Sequence, residues 1–340
     1  MPLCTISVVA VLLASAQPAG GDPGHEHPAI ERRPLDLAPD ADWAGRGVCY
    51  GPHRDGQTPD AGPQPTKEQV REDLHLLDPR FDLIRMYGSG DASRFALEII
   101  REDHLGLKLM LGAWIGSESN ADGPIFGAKE ANEAQVDALI EQANAFPDEI
   151  WALNVGNETQ VSWTGHRVDR ETLIGYIRRV RANTTEPVTT CDDFNFWNKP
   201  ESDAVAAEVD FVGLHAYAMW NGQSLVNALT WTREQIDDIA RKHPGLPIAF
   251  AESGWATQKH TEGEQAQLIK GAPGEKQQEL YYRAFTSWAE DARQPYFYFE
   301  AFDETWKGGA HPDEVEKHWG LWNADRTPKL AVETPTPQEE

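Results

Sequence analysis

Short apolar or β-branched runs alternate with longer amphipathic stretches between residues 43 and 332. The runs Gly47–Tyr50, Leu83–Tyr87, Lys108–Ala113, Ile150–Val155, Val188–Cys191, Phe211–His215, Ile248–Glu252 and Tyr296–Phe302 have the length and composition of strands. Between them, apolar residues at three- and four-residue spacing predict helices over Thr66–Leu77, Asp91–Asp103, Ala131–Ala145, Arg170–Asn183, Arg233–Lys242 and Glu275–Glu290. Thr66 followed by Gln69 fits a capping box, and Asp91 fits an N-cap. The fifth crossover, around Ser202–Glu208, is short, and Thr327–Val332 offers barely one turn for an eighth helix.

Eight near-continuous apolar strands separated by helices predict an α/β protein with a parallel sheet covered by helices. Strand count favours a closed (β/α)8 TIM barrel, in a single domain over 43–332, above a doubly wound sheet. The polar and aromatic residues gathered at the C-terminal strand ends favour it too, because that is where such a barrel assembles its active site.

The ends of the chain read differently. Ile6–Ala14 is apolar and is followed by the small-x-small pattern Ala14-Ser15-Ala16, so residues 1–16 read as a signal peptide and the protein as secreted or periplasmic. Residues 17–42 read as a Pro- and Gly-rich leader, and 333–340 as a disordered tail. No segment reaches membrane-spanning length. Cleavage would leave Cys49 and Cys191, both in strands and expected as buried free thiols rather than a disulfide framework.

A formal charge of −25 opposes binding to nucleic acid, to anionic membranes and to polyanionic glycans. A neutral polymer is the natural partner, and a monomer is the default state. The eleven histidines show no metal-ligand spacing, and no phosphate loop or nucleophile elbow is present, so neither a metal nor another cofactor is expected.

Two strands end in glutamate. Strand four runs Leu153-Asn154-Val155-Gly156-Asn157-Glu158, and strand seven runs Ala249-Phe250-Ala251-Glu252-Ser253-Gly254-Trp255. In an eight-stranded barrel these strands stand opposite, so both carboxylates face one pocket. Two carboxylates about 5–5.5 Å apart, one protonated and one ionised, are what glycosidic cleavage with retention requires. Each glutamate alone would more readily be read as a strand cap or an ion-pair partner; the pair with matching positions favours catalysis. Twelve tryptophans add indole faces on which the C–H face of a sugar can stack. Trp114, Trp255 and Trp306 follow strand ends, and Trp163, Trp197 and Trp220 lie in loops, whereas Trp43, Trp151 and Trp288 are expected to pack in the core.

These residues, with Gly47-Val48-Cys49-Tyr50-Gly51-Pro52, Ile84-Arg85-Met86-Tyr87-Gly88, Ala251-Glu252-Ser253-Gly254-Trp255, Tyr298-Phe299-Glu300-Ala301-Phe302-Asp303-Glu304-Thr305-Trp306-Lys307 and His318-Trp319-Gly320-Leu321-Trp322, resemble glycoside hydrolase family 17, the β-1,3-glucanases and glucanosyltransferases. The resemblance implies Glu158 as acid/base and Glu252 as nucleophile of a retaining hydrolase acting on β-1,3-glucan. It also implies Asn157 on the substrate 2-hydroxyl, and Glu300 and Lys307 as a sugar-binding or pKa-tuning pair. Tyr217 is a candidate to orient Glu252, Tyr87 to line the cleft, and Trp255 and Trp306 to stack on sugar. A glucanosyltransferase would use the same residues, and a carbohydrate-binding barrel without turnover is the alternative from another class.

Overall fold

The computed structural model describes residues 30–35 and 45–333; the expected signal peptide, most of the leader, Trp43 and the 334–340 tail lie outside them. Eight parallel strands close into a barrel in the order 1-8-7-6-5-4-3-2. They are β1 (Arg46–Cys49), β2 (Leu83–Met86), β3 (Lys108–Ala113), β4 (Ile150–Asn157), β5 (Val188–Asp193), β6 (Val212–His215), β7 (Ile248–Ser253) and β8 (Tyr296–Tyr298). Every neighbouring pair is parallel, as crossover connections demand.

The amphipathic stretches form the crossover helices, and their starts follow local chemistry. Lys67–Leu77 opens on the full Thr66–Gln69 capping box, and Arg170–Asn183 opens on Asp169, whose carboxylate accepts from the Glu171 and Thr172 amides. The helix Asp91–Glu102 is capped by Gly90, not by Asp91, which sits one position inside and makes no side-chain cap. The helix Leu225–Lys242 begins two turns ahead of the expected Arg233, because Val226 and its neighbours lie exposed and break the apolar stripe. β8 stops at Tyr298 rather than Phe302: beyond it the Phe299 and Ala301 amides still reach the Ser253 and Cys49 carbonyls of the neighbouring strands, but Glu300, Ala301 and Asp303 also bond to the closing segment Trp319–Trp322, which breaks the regular ladder. The fifth crossover is reduced to two short helices, Phe194–Trp197 and Asp203–Ala206, with a 3-10 turn, Pro200–Ser202, between them. A small hairpin, Ser119–Asn120 with Gly123–Pro124, rises after β3. No helix among the described residues is long and apolar enough to cross a membrane.

Cys49 and Cys191 are buried and free. The described part of the expected leader is tied to the barrel: the Arg33 amide donates to Asp210, its guanidinium to the Arg181 and Glu186 carbonyls, and Leu35 is buried. Trp151 packs edge-on against Phe211 and at a tilt against Phe297, and Trp288 against Phe250, as expected of core residues.

Candidate active site

Two irregularities in the ladder aim the glutamates into the barrel mouth. The register between β4 and β5 shifts between Asn154 and Asn157, where Gly156 takes a left-handed φ of 81°. A Cβ there would come within 2.9 Å of Thr159, so this turn needs glycine. Glu158 follows at φ 48°, an uncommon conformation for a non-glycine residue and a form of strain that collects at functional sites. A second shift, opposite Leu214–His215, displaces the chain around Ala251, just before Glu252. The Ala251 carbonyl accepts from the Arg85 guanidinium and the Cys49 thiol, which fixes this bulge.

Glu252 is nearly enclosed. Its Oε1 accepts from Arg85 Nη1 at 2.5 Å and Tyr87 Oη at 3.0 Å, and its Oε2 accepts from Tyr217 Oη at 2.6 Å. Arg85 is wholly buried, lies 4.5 Å from the Tyr87 ring centroid and also donates to the Asn157 side-chain oxygen. Burial pulls the Glu252 pKa upward, but the charges of His215 and Arg85 and the Tyr217 and Arg85 hydrogen bonds outweigh it and hold the carboxyl at about 2. Glu252 is therefore ionised at any working pH.

Glu158 stands open by comparison, with 25% of its side chain exposed against 6% for Glu252. His215 lies between them, Nδ1 3.0 Å from Glu158 and Nε2 3.4 Å from Glu252. Burial would lower the imidazole pKa, yet the Glu252 charge and contacts with Cys191 and Glu158 lift it to about 10. Glu158, His215 and Glu252 bring one ligand atom each within 4.8 Å of one another, the one such cluster among the described residues. A cation placed there would face the Arg85 guanidinium, which already holds Glu252 Oε1, so the donor set suits proton transfer and nucleophilic attack better than metal binding.

Beneath the Glu158 turn, Asp192, the penultimate residue of β5, is fully buried, its two oxygens accepting from the Gln160 and Asp193 amides. Burial, with the Glu158 charge, pushes its carboxyl up to about 8, and burial raises Asp193 to about 6.

Across the pocket, Lys307 Nζ bridges Glu300 at 2.6 Å and Glu304 at 2.7 Å. Burial drives Glu300 well above the carboxylate range, whereas Lys307, His53 and Trp306 hold Glu304 at about 2 against its own burial. Gly51 makes room for Glu304, since a Cβ there would lie 2.2 Å from the Glu304 carboxylate. Trp306 stays half-buried, its Nε1 donating to Glu304.

The structure therefore brings Asn157, Glu158, Glu252, Tyr87 and Tyr217 into one cluster, with Glu300, Lys307 and Trp306 in a second. Trp255 is a correction. It is 0% exposed, donates to the Ala272 carbonyl and packs on Tyr281, so it cannot offer a face to sugar. The chain folds the indole under the loop carrying Gly271 rather than toward solvent. Trp197 is likewise buried, bonded to the Gly213 carbonyl. Trp114 remains 41% exposed and packs at a 40° tilt, 4.6 Å between centroids, against His166, whose Nε2 contacts the Asn157 carbonyl. Sequence reasoning passed over Arg85, His215, Asp192 and Glu304 as site members. A charge inside the apolar run Leu83–Met86 and an imidazole closing Val212–His215 were signals in plain view.

The profile of the BtgE/BtgC glycoside hydrolase domain matches residues 47–320. A glucan 1,3-beta-glucosidase of Arthroderma benhamiae is 28% identical over 303 residues, covering 84% of this chain and 89% of the relative. The chain spans less than half the length of the fungal btgC glucan endo-1,3-beta-glucosidases it also matches. Among solved structures, an endo-laminarinase from Formosa aligns with TM-score 0.74 and 24% identity, covering 84% of this chain and 85% of that one. A β-1,3-glucanosyltransferase from Rhizomucor miehei aligns with TM-score 0.67 and 22% identity, covering 85% and 97%. At these identities the solved structures bear on the fold alone.

Proposed function

Since the chain belongs to the BtgE/BtgC glycoside hydrolases of family 17, we propose that it cleaves β-1,3-glucan with retention, using Glu252 as nucleophile and Glu158 as acid/base. The observation that carries the assignment of roles is the asymmetry of two carboxylates with oxygens within 4.8 Å of each other. One is enclosed and held ionised by Arg85, Tyr87 and Tyr217; the other opens to the cleft, where it can exchange protons with water.

In the first step a Glu252 oxygen attacks the anomeric carbon while Glu158 gives its proton to the departing glycosidic oxygen. The bond to the leaving sugar breaks and an ester to Glu252 forms. In the second step Glu158 takes a proton from water, the oxygen of that water attacks the same carbon, and Glu252 leaves as carboxylate. Arg85 also orients Asn157, whose side chain would meet the sugar 2-hydroxyl, where hydrogen bonding strengthens in the transition state. The Glu300–Glu304–Lys307 cluster, with Trp306, would bind the next hydroxyls.

A sugar hydroxyl replacing water in the second step would give transglycosylation. The exposed Trp114 ring, directly after β3, supports that outcome, because an indole face offers apolar area on which an acceptor sugar can stack. The substrate is read as a neutral polymer, the protein as monomeric and exported. N-terminal sequencing of protein recovered from the culture medium or periplasm would find cleavage after Ala16 if the export reading holds.

The primary test follows a β-1,3-gluco-oligosaccharide by proton NMR. Retention predicts the β-anomer as first product, with no turnover by Glu252→Ala and, on adding azide to that variant, an α-glycosyl azide. An α-anomer appearing first would refute retention. Turnover of β-1,4-glucan but not β-1,3-glucan would refute the linkage.

A further inference from the structure

We propose that Trp220 and Glu316 form a sugar-binding wall beside the catalytic pair, which takes one neutral hexopyranose unit of the substrate and disfavours a uronic acid. The inference rests on the glycan-cleaving reading above and names the recognition chemistry of the same cleft. Neither residue takes part in the steps already described.

Trp220 lies three residues beyond Tyr217, in the turn after β6, half-buried against the core. Glu316 comes from the other side, on the 3-10 turn Val315–Lys317. The two meet where Trp220 Nε1 donates to Glu316 Oε1 at 3.1 Å. That bond fixes the plane of the indole ring and spends its only donor. Among the described residues no group bonds the second oxygen of Glu316.

The turn that carries Glu316 is rigidly held. The Val315 amide donates to Gln265, and the buried Lys317 ammonium donates to the Thr305 carbonyl at 2.8 Å and the Lys307 carbonyl at 2.6 Å. Glu316 is thereby pinned next to the Lys307 cluster. Trp319, just past the same turn, packs at 5.2 Å on Tyr217, which holds Glu252. A Cβ on Gly308, the residue after Lys307, would lie 3.4 Å from Glu316 Cβ, so the Glu316 side chain borders the Lys307 cluster. Burial and the two catalytic carboxylates raise its carboxyl to about 7, against Lys307 and the Trp220 bond.

A flat indole beside a half-satisfied carboxylate is a matched pair for a pyranose. The ring covers C–H groups, and the carboxylate oxygen accepts a hydroxyl of the same sugar. A carboxylate on the sugar would instead meet Glu316 with like charge, a cost that selects for neutral units.

The test compares the full chain with Glu316→Gln and Trp220→Ala on a β-1,3-linked trisaccharide and on the same sugar oxidised to carboxylate at C6. Affinity is read both as KM and as calorimetric binding. Each variant is expected to raise KM for the neutral sugar about tenfold, or about 1.4 kcal/mol, with kcat little changed. The ratio of KM between Glu316→Gln and wild type should shrink below pH of about 7, where wild-type Glu316 takes up its proton. Glu316→Gln should also narrow the preference for the neutral over the oxidised sugar. A KM ratio within about twofold at alkaline pH overturns the proposal. So does a ratio independent of pH that tracks a fall in melting temperature, which would make the pair a structural brace. Failure of wild type to cleave the neutral sugar would refute the proposed function instead, and the binding comparison would still decide the wall.

Discussion

Tyr217→Phe isolates one interaction of the nucleophile. It removes the hydroxyl that donates to Glu252 Oε2 at 2.6 Å but keeps the ring that packs edge-on against Phe299 and Trp319. A hydrogen bond to a charged acceptor contributes about 1.5–3 kcal/mol. At about 1.4 kcal/mol for each pKa unit, its loss should raise Glu252 by about one to two units from its value near 2. The acid limb of kcat/KM should move up by the same amount. Because Glu252 stays ionised at neutral pH, the rate effect there comes from the second step, in which it departs as a carboxylate without that donor. We expect kcat to fall about tenfold and KM to fall with it, as glycosyl-enzyme accumulates. The sign for stability follows from a depressed folded pKa. The stabilisation is present above the unfolded value of about 4.3 and lost as pH falls through the folded one, so the variant should lose it at higher pH than wild type. A pH-rate profile with an unmoved acid limb and kcat within twofold would refute the reasoning.

Arg85→Met should cost about 3–5 kcal/mol in denaturant unfolding, because it leaves the enclosed Glu252 without its wholly buried cation; unchanged stability would mean that the charge is not needed. Asp192→Asn should flatten the pH dependence of stability. The wild-type carboxyl, raised to about 8 by burial and Glu158, keeps a proton that the unfolded chain releases near pH 4, so wild type loses stability as pH rises between those values. Parallel melting curves for the two proteins across that window would contradict it. Trp255→Ala should lower stability by about 3–5 kcal/mol while leaving KM near wild type, since the indole is core and not platform. Trp114→Ala should shift the product mixture from longer toward shorter β-1,3-oligosaccharides if the exposed ring seats an acceptor, and chromatography of the products reads this directly.

The barrel was legible in the chain because its cause is local. Most strands are near-continuous apolar runs, as strands covered on both faces tend to be, and the helices carry their own stripes and, at Thr66 and Asp169, their own caps. The pair Glu158 and Glu252 was legible for a related reason: a carboxylate ending an apolar strand has nowhere to go but the mouth. What local pattern could not reveal was which side chains meet across the barrel. Arg85 on β2 reaches both Asn157 on β4 and Glu252 on β7, and His215 on β6 spans the two glutamates; these distances depend on closure and on two register shifts that no single strand encodes. The same holds for Trp255 and Trp114. Both indoles follow a strand end, so the sequence treats them alike, but the loop through Gly271 and Ala272 covers one and leaves the other to solvent. The sequence determined the scaffold and the two groups that react, whereas tertiary packing decided which neighbours set their charge and which aromatic faces a substrate can reach, because burial and electrostatic coupling arise between segments that are far apart in the chain.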